Sequence, residues 1–213
     1  MRRRAFDAPS RDGAVDGCLK IDQYKQRTVG NIARHFHGVR TEPGEDPERE
    51  GPIKTPERDA RAMHYPTHGC DPDPAAVLRS AMFKEDCRNT VIVRDFEVPS
   101  LCEHHALPFF GRAHVARIPG GHTVGLPKTA RVAGAFARRL RVRERLTTEI
   151  PDCIEDTLQP PGVAVAIEAQ HLCMVMRGVR KQHPIATTLA FTGGFGQEKT
   201  RAEFIRRVTC CGD

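Results

Sequence analysis

Residues 100–119 read SLCEHHALPFFGRAHVARIP, and a thiol, a carboxylate and two imidazoles stand side by side in it as Cys102, Glu103, His104 and His105. On the upstream side, NTVIVRDFEVPS at 89–100 carries β-branched residues and predicts a strand that delivers the chain into this cluster. On the downstream side, GRAHVARIPGG alternates well enough to predict the next strand, with Pro119, Gly120 and Gly121 as its turn. The cluster is therefore expected at a strand end, within a hairpin-like meander.

Farther out, residues 21–39 mix apolar and basic positions in a helical pattern, and RTEPGEDPEREGPIKTP follows as a charged connector rich in turn formers. Thr55 and Pro56 read as an N-cap and a first helical residue, and Arg58 and Arg61 would share a face of the helix they start. From Lys128 to about Gln159 the pattern is helical but too long for one ordinary helix, so two are expected, parted near Leu140–Val142. Pro151 is expected to kink or locally break the second, at about 3 kcal/mol if it held a regular interior position. GVAVAIEAQHLCMVMRGV at 162–179 predicts a long strand whose alternation would put His171, Cys173, Val175 and Arg177 on one face. IATTLAFTGGF predicts a final strand and KTRAEFIRRV a closing helix.

The 213 residues suffice for one domain with an accessory segment, and 33 Lys plus Arg against 27 Asp plus Glu leave a net charge of +6, which suits an anionic partner. No apolar run is long enough to span a bilayer, and Asp7, Asp12 and Asp16 count against an acid-poor targeting segment in the Arg-rich start. A cytoplasmic protein without membrane contact is expected. In such a reducing compartment the 8 cysteines serve as core residues, metal ligands or nucleophiles, and Cys210 and Cys211 read as exposed thiols of a frayed tail.

Cys102 and His105, three positions apart, can reach one metal from a turn, and Cys173 can supply a third ligand from the facing strand. Two sulfurs and one nitrogen suit zinc, and three protein ligands leave a fourth position for a water that zinc acidifies. Cys-x2-His alone does not separate such a site from a structural zinc or a merely buried thiol. His104 and His171 lie beside the proposed ligands and are natural acids and bases at neutral pH, although either could be an ordinary hydrogen-bonded histidine.

Three segments, SLCEHHALPFFGRAHVARIP, GLPKTARVAGAFARRLRVRERLT and GVAVAIEAQHLCMVMRGVRKQ, closely resemble the signature segments of GTP cyclohydrolase I, in order and with matching spacing. GEDPEREG and KTPERDARAM resemble its N-terminal region, so the likeness covers roughly residues 21–208. The resemblance implies conversion of GTP and water to formate and 7,8-dihydroneopterin triphosphate, the first step of folate and other pteridine biosynthesis. It implies zinc on Cys102, His105 and Cys173, His171 as the acid at purine N7, and His104 as a second acid/base near the ribose. Glu144 matches the family's guanine-binding carboxylate, which can accept from both N1–H and the exocyclic amine. Lys128, Arg131 and Arg177 match triphosphate ligands, and Arg58 and, more weakly, Arg61 match basic residues that reach a neighbouring subunit's site. The implied fold is α+β, the tunnelling fold (T-fold): antiparallel sheet with paired helices on one side and an N-terminal helical arm. The implied assembly is a homodecamer with sites at subunit interfaces. The segments expected are a tail at 1–20, a helical region at 21–63, the T-fold catalytic domain at 64–208 and a tail at 209–213.

Three departures stand out. Pro127 replaces a usual serine, Arg143 a usual glutamine beside Glu144, and KQHPIATT a stretch usually rich in serine and threonine. They leave open a pterin- or purine-binding relative with an altered reaction. A zinc-stabilised nucleic-acid binder using RRLRVRER is the other alternative, disfavoured because structural zinc usually has four protein ligands and Glu144 and the histidines would then share no purpose.

Overall fold

The computed structural model describes residues 25–209, apart from 45, 47, 71, 72, 88, 178, 179, 182 and 183. The expected tail at 1–20, the start of the arm at 21–24, and Cys210 and Cys211 lie outside the described residues. The chain divides into two compact units, one ending at Tyr65 and the other beginning at Pro66.

In the first unit, helices α1 (Gln26–Thr41) and α2 (Thr55–His64) bury Val29 and Ala60 and are joined by an Arg40–Asp59 ion pair of 3.0 Å. Thr55 is not the N-cap of α2. Its N–H already bonds to the Pro52 carbonyl at 2.7 Å in the preceding turn, so Lys54 takes the cap position and no side chain caps the helix.

The second unit runs α3 (Pro74–Arg79), β1 (Met82–Lys84), β2 (Val91–Glu97), β3 (Ser100–Cys102), β4 (Pro108–Ile118), β5 (His122–Val124), α4 (Leu126–Ala137), β6 (Leu140–Arg141), α5 (Arg143–Leu158), β7 (Gly162–His171), α6 (Leu172–Val175), β8 (Ile185–Phe191) and α7 (Glu198–Thr209). It is α+β. Six strands form the main sheet in the order β6-β3-β4-β7-β8, with β2 also on β4, and every pairing is antiparallel except β3 with β6. The strand expected at 89–100 is two strands. Asp95, at φ 58°, forms a bulge that shifts the β2–β4 register, and Pro99, which has no N–H to donate, lies between β2 and β3.

The central strands β4 and β7 are covered on both faces, which explains the near-continuous apolar run of GVAVAI. Ala113, Val115, Val163, Val165 and Ile167 face Val132, Leu146, Ile150, Ile154 and Leu158 of α4 and α5. Ala116, Ala164 and Ala166 face Phe195 and Phe204, so the closing helix α7 covers the opposite side. The expected parting of the two helices holds, and Leu140–Arg141 in between adds a parallel edge strand to β3. Pro151 does not break α5, which runs unbroken from Arg143 to Leu158. Burial of Ile150, Ile154 and Leu158 against the sheet outweighs the lost hydrogen bond. The pair β1–β5 was not expected, because strands of three residues carry too little alternation to read.

Gly111 stands opposite Ala169 in the β4–β7 ladder. A Cβ there would run into the Glu168 carbonyl oxygen and lie 2.6 Å from the Ala169 Cα, both backbone atoms. Gly111→Ala is therefore expected to cost about 1–3 kcal/mol of unfolding free energy, read by thermal melting. An unchanged melting temperature would show that the ladder yields at this point.

Candidate metal and substrate site

The turn after β3 is built by backbone pairing. The Cys102 N–H bonds to the Leu107 carbonyl at 2.9 Å, and the Ala106 N–H to the Cys102 carbonyl at 2.8 Å. Closing so tight a loop puts Ala106 at φ 51°, a left-handed conformation that costs an L-residue about 1–2 kcal/mol. Glu103 ties the turn down at one side: its N–H bonds to the Arg141 carbonyl at 3.1 Å, and its carboxylate pairs with Arg145 at 3.3 Å. Glu103, which the sequence left without a role beyond supporting the turn, anchors it to β6 and to the first turn of α5.

The turn holds Cys102 and His105 on one side. Cys102 Sγ lies 3.7 Å from His105 Nδ1, and one donor atom from each of Cys102, His105 and Cys173 lies within 4.8 Å of the others. A tetrahedral zinc with about 2.3 Å bonds to sulfur spaces two thiolates about 3.8 Å apart, so donor type and spacing fit zinc. Burial, followed by the neighbouring Cys102, pushes the Cys173 thiol up, while its backbone hydrogen bond and the Arg177 cation oppose this. A thiol that resists ionising alone is one that a dication would ionise.

Cys173 reaches this place by a different route from the one expected. Strand β7 ends at His171, which pairs with Phe109 as the last rung toward β4, and the chain then coils into the one-turn helix α6. Cys173 and Val175 thus lie on a helix, and Arg177 lies exposed beyond it, so the shared strand face with His171 does not exist. The alternation stopped where the partner strand ran out.

His171 stacks on Phe109, with ring centroids 4.6 Å apart and an interplanar angle of 15°. Burial lowers its pKa first, Arg143 adds to this, and Glu144 opposes. Glu144 stands in the first turn of α5, where a backbone N–H and then Arg143 hold its carboxyl below the ordinary range against its partial burial. Arg143 Nη2 donates to Glu144 Oε1 at 3.1 Å. Phe109 and Arg143 were not among the site residues expected from sequence. The pairing of Phe109 with His171 could only be found from the β4–β7 register.

His104 is exposed in the turn, its ring edge-on to His105 with centroids 6.2 Å apart. Lys128 and Arg131 stand on α4, where Lys128 Nζ donates to Ser80 Oγ at 3.1 Å. Arg58 and Arg61 are on α2 in the first unit, where Arg58 is exposed and Arg61 pairs with Glu57 at 2.8 Å. The structure thus gathers Cys102, His105 and Cys173, and a neighbouring group of Arg143, Glu144 and His171. Lys128 is tied to Ser80, and Arg58 and Arg61 belong to the first unit.

Residues 32–209 match the family model described as GTP cyclohydrolase I. The chain is 52% identical over 184 residues to GTP cyclohydrolase 1 of Porphyromonas gingivalis, covering 86% of this chain and 95% of that one. It is 55% identical over 190 residues to GTP cyclohydrolase 1 of Bacteroides thetaiotaomicron, covering 89% of this chain and 97% of that one. With GTP cyclohydrolase 1 of Parabacteroides distasonis the identity is 57% over 190 residues, again covering 89% of this chain and 97% of the relative.

Proposed function

This chain belongs to the GTP cyclohydrolase I family and is a hydrolase acting on GTP, and from that premise we propose how its residues carry the reaction. The products are formate and 7,8-dihydroneopterin triphosphate, which enters folate and other pteridine biosynthesis. The observation that carries the reading is the convergence of Cys102, His105 and Cys173 within 4.8 Å. These residues would hold zinc, which would supply Lewis acidity for hydrolytic attack on the purine.

The remaining steps belong to side chains. Glu144, kept ionised by its helix terminus, accepts from guanine N1–H and the exocyclic amine and so orients the base. His171, held flat against Phe109, passes a proton to N7 as the imidazole ring opens. His104 serves the ribose in the later rearrangement. Lys128, Arg131 and Arg177 bind the triphosphate, and Arg58 and Arg61 reach from a neighbouring subunit.

The fold that suits this reading is the T-fold, with an N-terminal helical region at 21–63, a catalytic domain at 64–208 and short tails. A homodecamer is supported by sheet edges that present apolar side chains: Ile185 is 69% and Leu189 46% exposed on edge strand β8. Such an edge calls for another strand. A cytoplasmic enzyme without nucleic-acid or membrane partners completes the reading, and no helix among the described residues is long and apolar enough to cross a membrane.

Formate release from GTP by the purified, zinc-loaded chain tests the reading. Stoichiometric formate is expected. GTP binding without formate would instead point to a relative whose reaction has been altered.

A further inference from the structure

Glu103 lies between two members of the donor cluster, directly after Cys102 and two positions before His105, and the segment that opens α5 grips it twice. Its N–H bonds to the Arg141 carbonyl at 3.1 Å, and its carboxylate pairs with Arg145 Nη1 at 3.3 Å. Arg141 is itself fixed. It is 6% exposed, stands opposite Cys102 in the β3–β6 pair, and donates from Nε to the Phe136 carbonyl at 2.8 Å and from Nη1 to Glu149 at 2.9 Å. The main-chain half of the grip therefore holds without Arg145, and the side-chain half can be probed alone. Arg145 directly follows Glu144 on α5, and successive helical residues point about 100° apart. Glu144 turns toward Arg143 and His171, while Arg145 turns toward Glu103.

We propose that Arg145 is a positioning residue: through Glu103 it sets the Cys102–His105 turn against the end of α5 that presents Glu144, and so fixes where the bound base stands relative to the donor cluster. The proposal rests on the assignment of guanine to Glu144 and of zinc to the turn. Two adjacent residues on each side of one ion pair, Cys102 and Glu103, then Arg145 and Glu144, join a metal ligand to the reader of the base. A partly exposed pair of this kind adds little to folding. Misplacing reacting groups by about 1 Å, by contrast, can cost about a hundredfold in rate. The pair therefore acts on geometry far more than on stability.

The test compares zinc-loaded Arg145→Met, Glu103→Ala and the double variant with the unsubstituted chain, by formate release from GTP, by the rate of zinc loss to EDTA and by thermal melting. Each single variant is expected to lower kcat about tenfold with KM changed by no more than about twofold, and to lose zinc about threefold to tenfold faster. All should melt within about 2 °C of the unsubstituted chain. The double variant should be no worse than either single one, because both break the same pair. Losses that multiply in the double variant, or a raised KM at unchanged kcat in Arg145→Met, would give Arg145 a separate role in attracting the substrate's charge and overturn the proposal. Unchanged kcat and zinc loss in both single variants would overturn it as well. Zinc loss is read without turnover. If the unsubstituted chain released no formate, the catalytic reading would fail, while faster and non-additive zinc loss in the variants would still show Arg145 holding the turn.

Discussion

Cys173→Ala is expected to purify folded but without zinc, and to release formate from GTP about a thousandfold more slowly or worse than the unsubstituted chain. Two donors, Cys102 and His105, would remain, too few to retain the ion. The substitution separates metal binding from folding because Cys173 is only half-buried, on a one-turn helix beyond the end of β7. Cys102 would be a poorer probe. It is 6% exposed, within the main core, and its backbone closes the turn, so its loss would mix a packing defect with loss of the ligand. Metal analysis and a thermal melt should accompany the assay. A Cys173→Ala protein that keeps stoichiometric zinc would remove it from the ligand set.

His171→Ala is expected to keep its zinc and lose turnover by about 10²–10⁴-fold, the range typical of a lost general acid or base. Alanine also removes the ring stacked on Phe109 at 4.6 Å, so a slower enzyme alone would not distinguish proton transfer from packing. His171→Phe makes that distinction. Phenylalanine can preserve the stack and cannot carry a proton, so it should melt near the unsubstituted protein and be as inactive as the alanine variant. Recovery of turnover in His171→Phe would make His171 a packing residue and move the proton to another group.

Both predictions depend on residues whose legibility differed. Cys102 and His105 are three positions apart, and a turn between two strands brings them together by local geometry alone, so their partnership could be read directly. Glu144 could be named only through the resemblance, since a carboxylate among arginines is ordinarily a helix-surface partner. Cys173 lies in the observed cluster, but on a one-turn helix and not on the expected strand. An apolar, β-branched run continues past His171 in sequence, whereas the pairing with β4 ends at the Phe109–His171 rung and β7 ends with it. Pro151 failed in the opposite sense. A local rule predicted a kink or break, and the burial of Ile150, Ile154 and Leu158 on either side of the proline held α5 continuous.

Periodicity and turn chemistry were enough to establish the mixed α and β character, the order of the main strands and helices, the parting at Leu140–Val142 and the Cys-His turn, because each depends on residues within a few positions of one another. The approach of Cys173 to Cys102, the stacking of His171 on Phe109, the bulge at Asp95 and the burial of Arg143 emerged only once the chain was packed. Each depends on which strand runs out first and which helix lies over it, and those are contacts between residues that sequence periodicity treats as independent.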